Sequence, residues 1–150
     1  MGYGDMLPFD KYILHKLQLL IADSTRACDG FEWYDFYQRF HQFCAIDLSA
    51  LYFDIVKDRL YILKADSPER RSCQTALSEI LDTLVRLMAP VLAFTSEEVY
   101  QLARADEKKQ SVHLLDWPSV NDKYLNKEIE ADYDRLIETR QGVFKALEEA

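Results

Sequence analysis

The chain of 150 residues is long enough to bury a core as a single domain, and its formal net charge is −8 at pH 7. Hydrophobic residues make up 49% and charged residues 29%, a balance that excludes a disordered chain. No apolar run is long enough for a membrane-spanning helix, and we expect no secretory signal. The acidic balance counts against a nucleic-acid binder, because phosphate neutralisation requires basic side chains.

The first half of the chain predicts two long amphipathic helices. Pro8 suits the first turn of a helix, where its missing N–H costs nothing, and Asp29-Gly30 predicts the turn that ends it. Between them, apolar residues recur at helical spacing: Phe9, Ile13, Leu17 and Leu20. A cap or kink is expected at Asp47 in the second helix. Its apolar stripe runs through Phe36, Phe40, Phe43, Leu48, Tyr52 and Ile55 towards Leu63.

The most regular stretch begins at Ser67-Pro68-Glu69, which combines a capping hydroxyl, a proline in the first turn and an acid near the positive helix end. Pro90 predicts its end, because proline removes a backbone donor. Its apolar residues keep helical spacing: Cys73, Leu77, Ile80, Leu84 and Leu87. Thr95 and Glu98 then have capping-box spacing and predict a short helix.

The last part of the chain is less regular. Residues 105–125 lose the helical period, and Ser111–Trp117 is predicted to be a short extended segment. The helical period then resumes in a charged final helix with Ile129, Tyr133, Leu136, Val143 and Leu147. The pattern predicts an all-α fold, an antiparallel bundle of about six helices. We expect one domain, with a leader at 1–8, a bundle core at 9–104, an irregular connection at 105–125 and a final helix at 126–150 that continues in the natural chain.

No group of residues forms a catalytic or metal-binding motif. No Gly-rich phosphate loop or Gly-x-Ser-x-Gly elbow is present. His15 and His41 lie in no known metal-ligand motif, and we expect both at the surface or boundary of the bundle. Asp54 and Lys57 are expected to form an ion pair on a helix surface. Three cysteines without disulfide or zinc spacing predict reduced thiols in a cytoplasmic protein: Cys28, Cys44 and Cys73.

Residues 47–61 closely resemble a segment of the isoleucyl-tRNA synthetases, class I enzymes of bacterial type. The run reads Asp-Leu-Ser-Ala-Leu-Tyr-Phe-Asp-Ile-Val-Lys-Asp-Arg-Leu-Tyr. The related valyl, leucyl and methionyl enzymes share the helical layout but lack the ending Lys57–Tyr61. Three further blocks resemble the family in order and spacing: Arg70–Asp82, Leu87–Glu98 and Ser111–Pro118. Together the resemblance spans about residues 9 to 148.

The resemblance implies the anticodon-binding helical domain that follows the catalytic domain in this family. The catalytic domain carries a His-Ile-Gly-His motif and a Lys-Met-Ser-Lys-Ser loop, and this sequence contains neither. We therefore expect no enzyme activity and no cofactor in this chain, whereas the full enzyme uses ATP with Mg²⁺ and many members bind zinc in a C-terminal region. The implied partners are the anticodon stem-loop of tRNA(Ile) and the remaining domains of the same synthetase. We expect the chain itself to be monomeric, cytoplasmic and not bound to membranes.

Anticodon recognition requires aromatic or guanidinium planes on which unstacked bases can stack. The candidates on the second helix are Trp33, Tyr34 and Arg39. Trp117 occupies a position that resembles one used for anticodon contacts in methionyl enzymes. The candidate phosphate contacts are Arg59, Arg70 and Arg71.

Other interpretations of these residues remain open. The two tryptophans also suit packing, the arginines also suit pairs within the protein, and Tyr52 and Tyr61 suit the core or its boundary. Residues 57–71 hold five basic and three acidic side chains, whereas residues 128–150 hold three basic and seven acidic ones. Two rival functions are a helical protein-interaction bundle and the equivalent domain of a valyl, leucyl or methionyl enzyme.

Overall fold

A computed structural model of the chain describes residues 1–103 and 111–149, and all regular structure in these ranges is helical. The helices are α1 (Pro8–Asp29), α2 (Trp33–Gln42), a π-helical segment (Phe43–Phe53), α3 (Asp54–Tyr61), α4 (Pro68–Met88), α5 (Ala93–Ala103) and α6 (Lys127–Glu148). The all-α prediction is confirmed. Because α2, the π-helical segment and α3 form one continuous rod, the described residues contain five separate rods where about six were expected. None of the helices in these ranges is long and apolar enough to cross a membrane.

The central element of the bundle is α1. It contacts α2, the π-helical segment, α4 and α6, and 12 of its 22 residues are buried. Its apolar contribution to the main core is Phe9, Tyr12, Ile13, Leu14, Leu17, Leu20 and Ile21. Since burial of each large apolar side chain contributes about 1.5–3 kcal/mol, α1 orders the elements around it.

The rod from α2 to α3 runs antiparallel to α1. Near the start of α1, Asp10 is bonded to Tyr52 of the π-helical segment, and near its end Asp23 pairs with Arg39 of α2. The turn between α1 and α2 therefore lies at the C-terminal end of α1. Sequence periodicity did not predict a π-helical segment. Asp47 lies inside this segment and does not start a new helix there.

The helix α6 also runs antiparallel to α1, because Tyr12 is bonded to Asp134 whereas His15 lies beside Glu130. The expectation for His15 was wrong, since its side chain is buried with 1% exposure. Its Nδ1 atom accepts a 3.1 Å hydrogen bond from the backbone N–H of Asn126, 111 residues away. Helical spacing within α1 does not predict the burial of His15, because the residues that bury it belong to the far end of the chain.

Most of the predicted helix ends are confirmed. Pro8 lies in the first turn of α1, and the Ser67 hydroxyl accepts a 3.2 Å hydrogen bond from the backbone N–H of Arg70 at the start of α4. The end of α1 at Asp29 is confirmed, but the residue with left-handed backbone is Phe31 (φ 55°) and not a glycine.

Three local predictions were wrong. Thr95 does not cap α5, because the helix already begins at Ala93. The expected extended segment instead contains a 3-10 turn at Val112–Leu114, where the Ser111 hydroxyl accepts the backbone N–H of His113. Tyr61 is 85% exposed, because α3 ends there and no described element packs over its side chain.

Candidate nucleic-acid interface

The seven predicted RNA-binding residues lie at two different ends of α1. Arg39 pairs with Asp23 and Trp117 bonds to Thr25, so these two candidates lie around the C-terminal half of α1. Arg59 pairs with Asp10, in the first turn of α1. Positions 10 and 23 are separated by about 20 Å along a helix that rises about 1.5 Å per residue. The structure therefore divides the candidates and does not bring them into one cluster.

At the N-terminal end of α1, Arg59 faces inward towards the buried Asp10 carboxylate. Asp10 also accepts hydrogen bonds from the hydroxyls of Tyr52, at 2.7 Å, and Ser72. The Arg59 guanidinium lies 3.4 Å from the carboxylate. Burial and the negative charge of Asp10 raise the pKa of Tyr52, so the hydroxyl stays protonated and donates. These donors satisfy a charge that would otherwise be costly to bury.

The other two arginines at this end differ in their surroundings. Arg70 is half-buried, and its guanidinium donates a 3.0 Å hydrogen bond to the backbone carbonyl of Leu63. Arg71 is exposed and lies 3.5 Å from the Gln74 side chain. Of these three arginines, Arg71 alone has an exposed side chain that can reach a phosphate without giving up a buried bond.

An ion network joins α1 to α2 near the other end. Arg26 lies 3.0 Å from Asp23 and 3.8 Å from Asp35, and Arg39 lies 3.2 Å from Asp23 and 3.5 Å from Asp35. Two guanidinium groups and two carboxylates neutralise one another on an accessible surface. Arg26 is not among the residues predicted from the sequence. The sequence does contain a signal for it. Arg26 follows Asp23 by three residues, on the helix that ends just before the candidate aromatic residues.

Trp117 is fixed against the same part of α1. Its indole N–H donates a 2.9 Å hydrogen bond to the Thr25 hydroxyl, and the half-buried ring packs on the main core. The packing interpretation therefore holds for part of the ring. Trp117 also lines an open cavity of about 600 Å3 together with Arg26 and Asp29. A ring held in this way has already lost its rotational freedom, so stacking on it carries a small additional entropic cost.

The segment that carries Trp117 is attached to α5 through Glu97. The Glu97 carboxylate accepts hydrogen bonds from the Ser111 hydroxyl at 2.9 Å and the backbone N–H of Val112 at 2.8 Å. Gln101 donates a third, and these hydrogen bonds hold the pKa of Glu97 below its usual range. The contact helps to place Trp117 beside α1.

A second cavity lies between α1 and the rod that begins with α2. It measures about 130 Å3 and is lined by Lys16, Asp23, Arg39 and Asp47, among others. Burial raises the pKa of Asp47, against the opposing effect of Lys16. Because Arg26 lines the first cavity and pairs with Asp23 of the second, the two form one surface. We call this surface the α1 groove, defined by Lys16, Asp23, Arg26, Arg39 and Trp117.

Trp33 and Tyr34 lie on other faces of α2. Tyr34 is exposed, whereas Trp33 is 50% exposed and meets the edge of Phe36 at 6.2 Å between ring centroids. Trp33 lines a separate cavity of about 320 Å3 between α2 and the turn from α4 to α5. We call it the α2 cavity, and its lining includes Trp33, Phe36, Tyr37, Phe40, Pro90 and Val91.

The α1 groove is suited to recognition by contact. Within 1–103 and 111–149, no three His, Cys, Asp or Glu side chains group in a way that could hold a metal ion. Cys73 is buried and the other two cysteines are half-buried, and burial raises the pKa of all three thiols. The groove instead offers an anchored aromatic ring and two guanidinium planes.

The sequence matches the family described as the anticodon-binding domain of tRNA ligase over residues 10–150. It is 48% identical to the isoleucine–tRNA ligase of Carboxydothermus hydrogenoformans over 146 residues, which cover 97% of this chain and 16% of that enzyme. The isoleucine–tRNA ligases of Thermoanaerobacter pseudethanolicus and Natranaerobius thermophilus are 47% and 43% identical over 150 residues, 99% and 100% of this chain and 16% of each enzyme. The chain thus spans about 16% of the length of these relatives. It belongs to the family of anticodon-binding domains of tRNA ligases.

Proposed function

We propose that this chain is the module of an isoleucyl-tRNA synthetase that binds the anticodon stem-loop of tRNA(Ile). The full enzyme attaches isoleucine to that tRNA with ATP and Mg²⁺ in the cytoplasm, and this module supplies binding and no chemistry. The similarity to isoleucine–tRNA ligases over 97–100% of the chain supports the assignment. The ending Lys57–Tyr61, which valyl, leucyl and methionyl enzymes lack, supports the choice of isoleucine.

The α1 groove is the surface that suits the anticodon loop. The single observation that carries this proposal is the position of Trp117, whose ring is hydrogen-bonded to Thr25 and lines a cavity with Arg26. Arg26 in turn shares the Asp23 carboxylate with Arg39. An unstacked base stacks on an aromatic ring with a gain of about 1–3 kcal/mol. The arginines supply donors for base edges or phosphate. The exposed ring of Tyr34 lies on another face of α2 and is not assigned to this groove.

The charge of the α1 groove predicts the strength of binding. Lys16, Arg26 and Arg39 are opposed by Asp23 and Asp47, so little positive charge is left for phosphates. Phosphate contacts supply most of the salt-dependent affinity for nucleic acids. We therefore expect weak binding by the isolated chain, with a dissociation constant in the micromolar range or above and a shallow salt dependence. In the full enzyme, the groove would contribute discrimination more than affinity.

The three candidate arginines at the N-terminal end of α1 are not part of the α1 groove. Arg59 pairs with Asp10, and Arg70 donates to a backbone carbonyl, so we propose that both stabilise the fold and do not contact RNA. Arg71 is exposed and is the candidate there for a contact with a stem phosphate. A stem-loop that reached from the α1 groove to Arg71 would span most of the length of α1.

The test is a titration of the chain with isoleucine anticodon stem-loop RNA, with a valine stem-loop as control, at low and physiological salt. We expect preference for the isoleucine loop, and a loss of about 5- to 150-fold for Trp117→Ala, which corresponds to one stacked base. Trp33→Ala is the matched control, because Trp33 lines a different cavity. Equal loss with Trp33→Ala would remove the α1 groove from the proposal.

Trp117→Ala also removes a hydrogen bond, so a second variant separates stacking from folding. Thr25→Val deletes the acceptor of the indole N–H and leaves the ring in place. We expect it to retain most RNA affinity while lowering stability by about 1 kcal/mol. Submicromolar binding would contradict the expectation of weak affinity, and equal affinity for both loops would contradict anticodon reading by this module.

A further inference from the structure

The α2 cavity is a second, chemically different surface that shares no lining residue with the α1 groove. Trp33 and Tyr37 line one side of it and Pro90 and Val91 the other. None of the residues that line it carries a charge, so it offers no cation for a phosphate and no ionised group for the edge of a base. Its volume of about 320 Å3 is sufficient for a large apolar side chain.

Two apolar residues close in sequence to the lining of the α2 cavity are exposed in this chain. Phe31, two residues before Trp33, is 79% exposed, and Phe94, three residues after Val91, is 93% exposed. Phe31 also has a left-handed backbone, φ 55°, in the turn that ends α1. The backbone N–H groups of Phe31 and Glu32 bond to the carbonyls of Cys28 and Ala27, a helix ending that usually has glycine at the left-handed position. The Phe31 backbone is strained and its ring is exposed to solvent. This combination indicates that the ring contacts another molecule.

The charges near the α2 cavity favour a polypeptide over RNA. Glu32 is exposed and directly precedes Trp33, which lines the cavity. It forms no ion pair with another residue in the described ranges. A carboxylate next to an apolar cavity repels phosphate and attracts a basic partner. The cavity and Glu32 are thus complementary to an apolar side chain flanked by Lys or Arg.

We propose that the α2 cavity receives an apolar side chain from a basic segment of the rest of the synthetase chain. This inference rests on the proposed function, which makes this module one part of a longer enzyme. The relatives carry about six times as much chain as this module, since it spans 16% of their length. An apolar segment laid into such a groove is an established mode of recognition between polypeptides. The contact would fix the orientation of the module, and with it the α1 groove, relative to the other domains.

The test is hydroxyl-radical footprinting without RNA. The modification rates of Trp33 and Tyr37 are measured by mass spectrometry in this chain and in a full-length isoleucyl-tRNA synthetase in which it occupies the matched segment. We expect both rates to fall by roughly fivefold or more in the full-length protein, since the core of an interface excludes solvent. Tyr61, exposed at the opposite end of the bundle, is the internal control and should keep its rate. Glu32→Lys, which adds a like charge facing the basic partner, should raise the rate of Trp33 in the full-length protein.

Three results would overturn the inference. Unchanged rates for Trp33 and Tyr37 in an active full-length enzyme would show that nothing covers the cavity. Protection that appears in the isolated chain as its concentration rises would assign the cavity to a second copy. Protection that requires added tRNA would assign it to RNA. Because the footprint is measured without RNA, its failure is distinct from a failure of the stem-loop titration.

Discussion

The Tyr52 hydroxyl donates a 2.7 Å hydrogen bond to the Asp10 carboxylate inside the bundle, where both residues are fully buried. The bond joins the first turn of α1 to the π-helical segment. The Ser72 hydroxyl bonds to the same carboxylate and also accepts the backbone N–H of Leu7 at 2.9 Å, which adds α4 to the cluster. A single buried charge thus connects three elements, and its position in the first turn of α1 is favoured by the helix dipole.

Tyr52→Phe should lower the free energy of unfolding by about 1–3 kcal/mol, because a buried carboxylate loses a donor and keeps the cost of its burial. Urea unfolding at pH 7 measures the change. Tyr12→Phe is the matched control, since the Tyr12 hydroxyl bonds at 3.1 Å to Asp134, an exposed residue. We expect a loss of about 1 kcal/mol or less for the control. A larger loss for Tyr12→Phe than for Tyr52→Phe would contradict the importance of the Asp10 cluster.

Arg59 and Arg39 should respond in opposite ways to the same substitution. Arg59→Gln should lower stability by about 1–2 kcal/mol, because Asp10 loses a charged neighbour but keeps two hydroxyl donors. Arg39→Gln breaks only exposed ion pairs and should change stability by about 0.5 kcal/mol or less. The isoleucine stem-loop titration should show the reverse order, with weaker binding for Arg39→Gln and little change for Arg59→Gln. If Arg59→Gln weakened RNA binding while the fold stayed intact, the RNA surface would have to extend to the N-terminal end of α1.

Phe31→Gly should raise the free energy of unfolding by about 1 kcal/mol, since the left-handed conformation costs about 1–2 kcal/mol for a residue with a side chain. Thermal and urea unfolding of the isolated chain measure the gain. Phe31→Ala keeps the Cβ atom and the strain, so this control should not share the gain. Destabilisation by Phe31→Gly would show that the exposed ring stabilises the isolated chain through packing.

Features decided within one helical turn could be predicted from the sequence. The capping bond from Arg70 to Ser67 spans three residues, and the position of Pro8 depends on its own missing N–H. Apolar spacing also identified the buried face of α1. These signals are local, and for that reason a single sequence contains them.

Features decided by distant partners could not be predicted. Apolar spacing in α1 does not show that α6 buries His15, because the contact joins residues 111 positions apart. The sequence indicated Trp117 and Arg39 separately, but only the fold places both beside α1, through Thr25 and Asp23. The same holds for the division of the candidate arginines, since a buried carboxylate on another helix holds Arg59 inward.

Acid should release the segment that carries Trp117 from α5, through Glu97. Its pKa is lowered in the folded state, chiefly by the hydrogen bond from Gln101 and then by those from Val112 and Ser111. A group with a lowered folded pKa stabilises the fold above its ordinary value, here 4.5, and that contribution is lost as pH falls through the folded pKa. Hydrogen-exchange protection of the Val112 amide, corrected for intrinsic rates, should therefore hold at neutral pH and decline in the acid range below that value.

The substitution Glu97→Gln tests the assignment to this carboxylate, because it removes the titrating group and weakens the acceptor. Protection of the Val112 amide should be lower at neutral pH in this variant and should lose its dependence on acid. Glu98→Gln is the matched control, since Glu98 is exposed on the same helix and should leave both properties unchanged. If the Glu97→Gln variant kept the acid transition, another carboxylate would control the segment, and Glu97 would not be the residue that positions Trp117 beside α1.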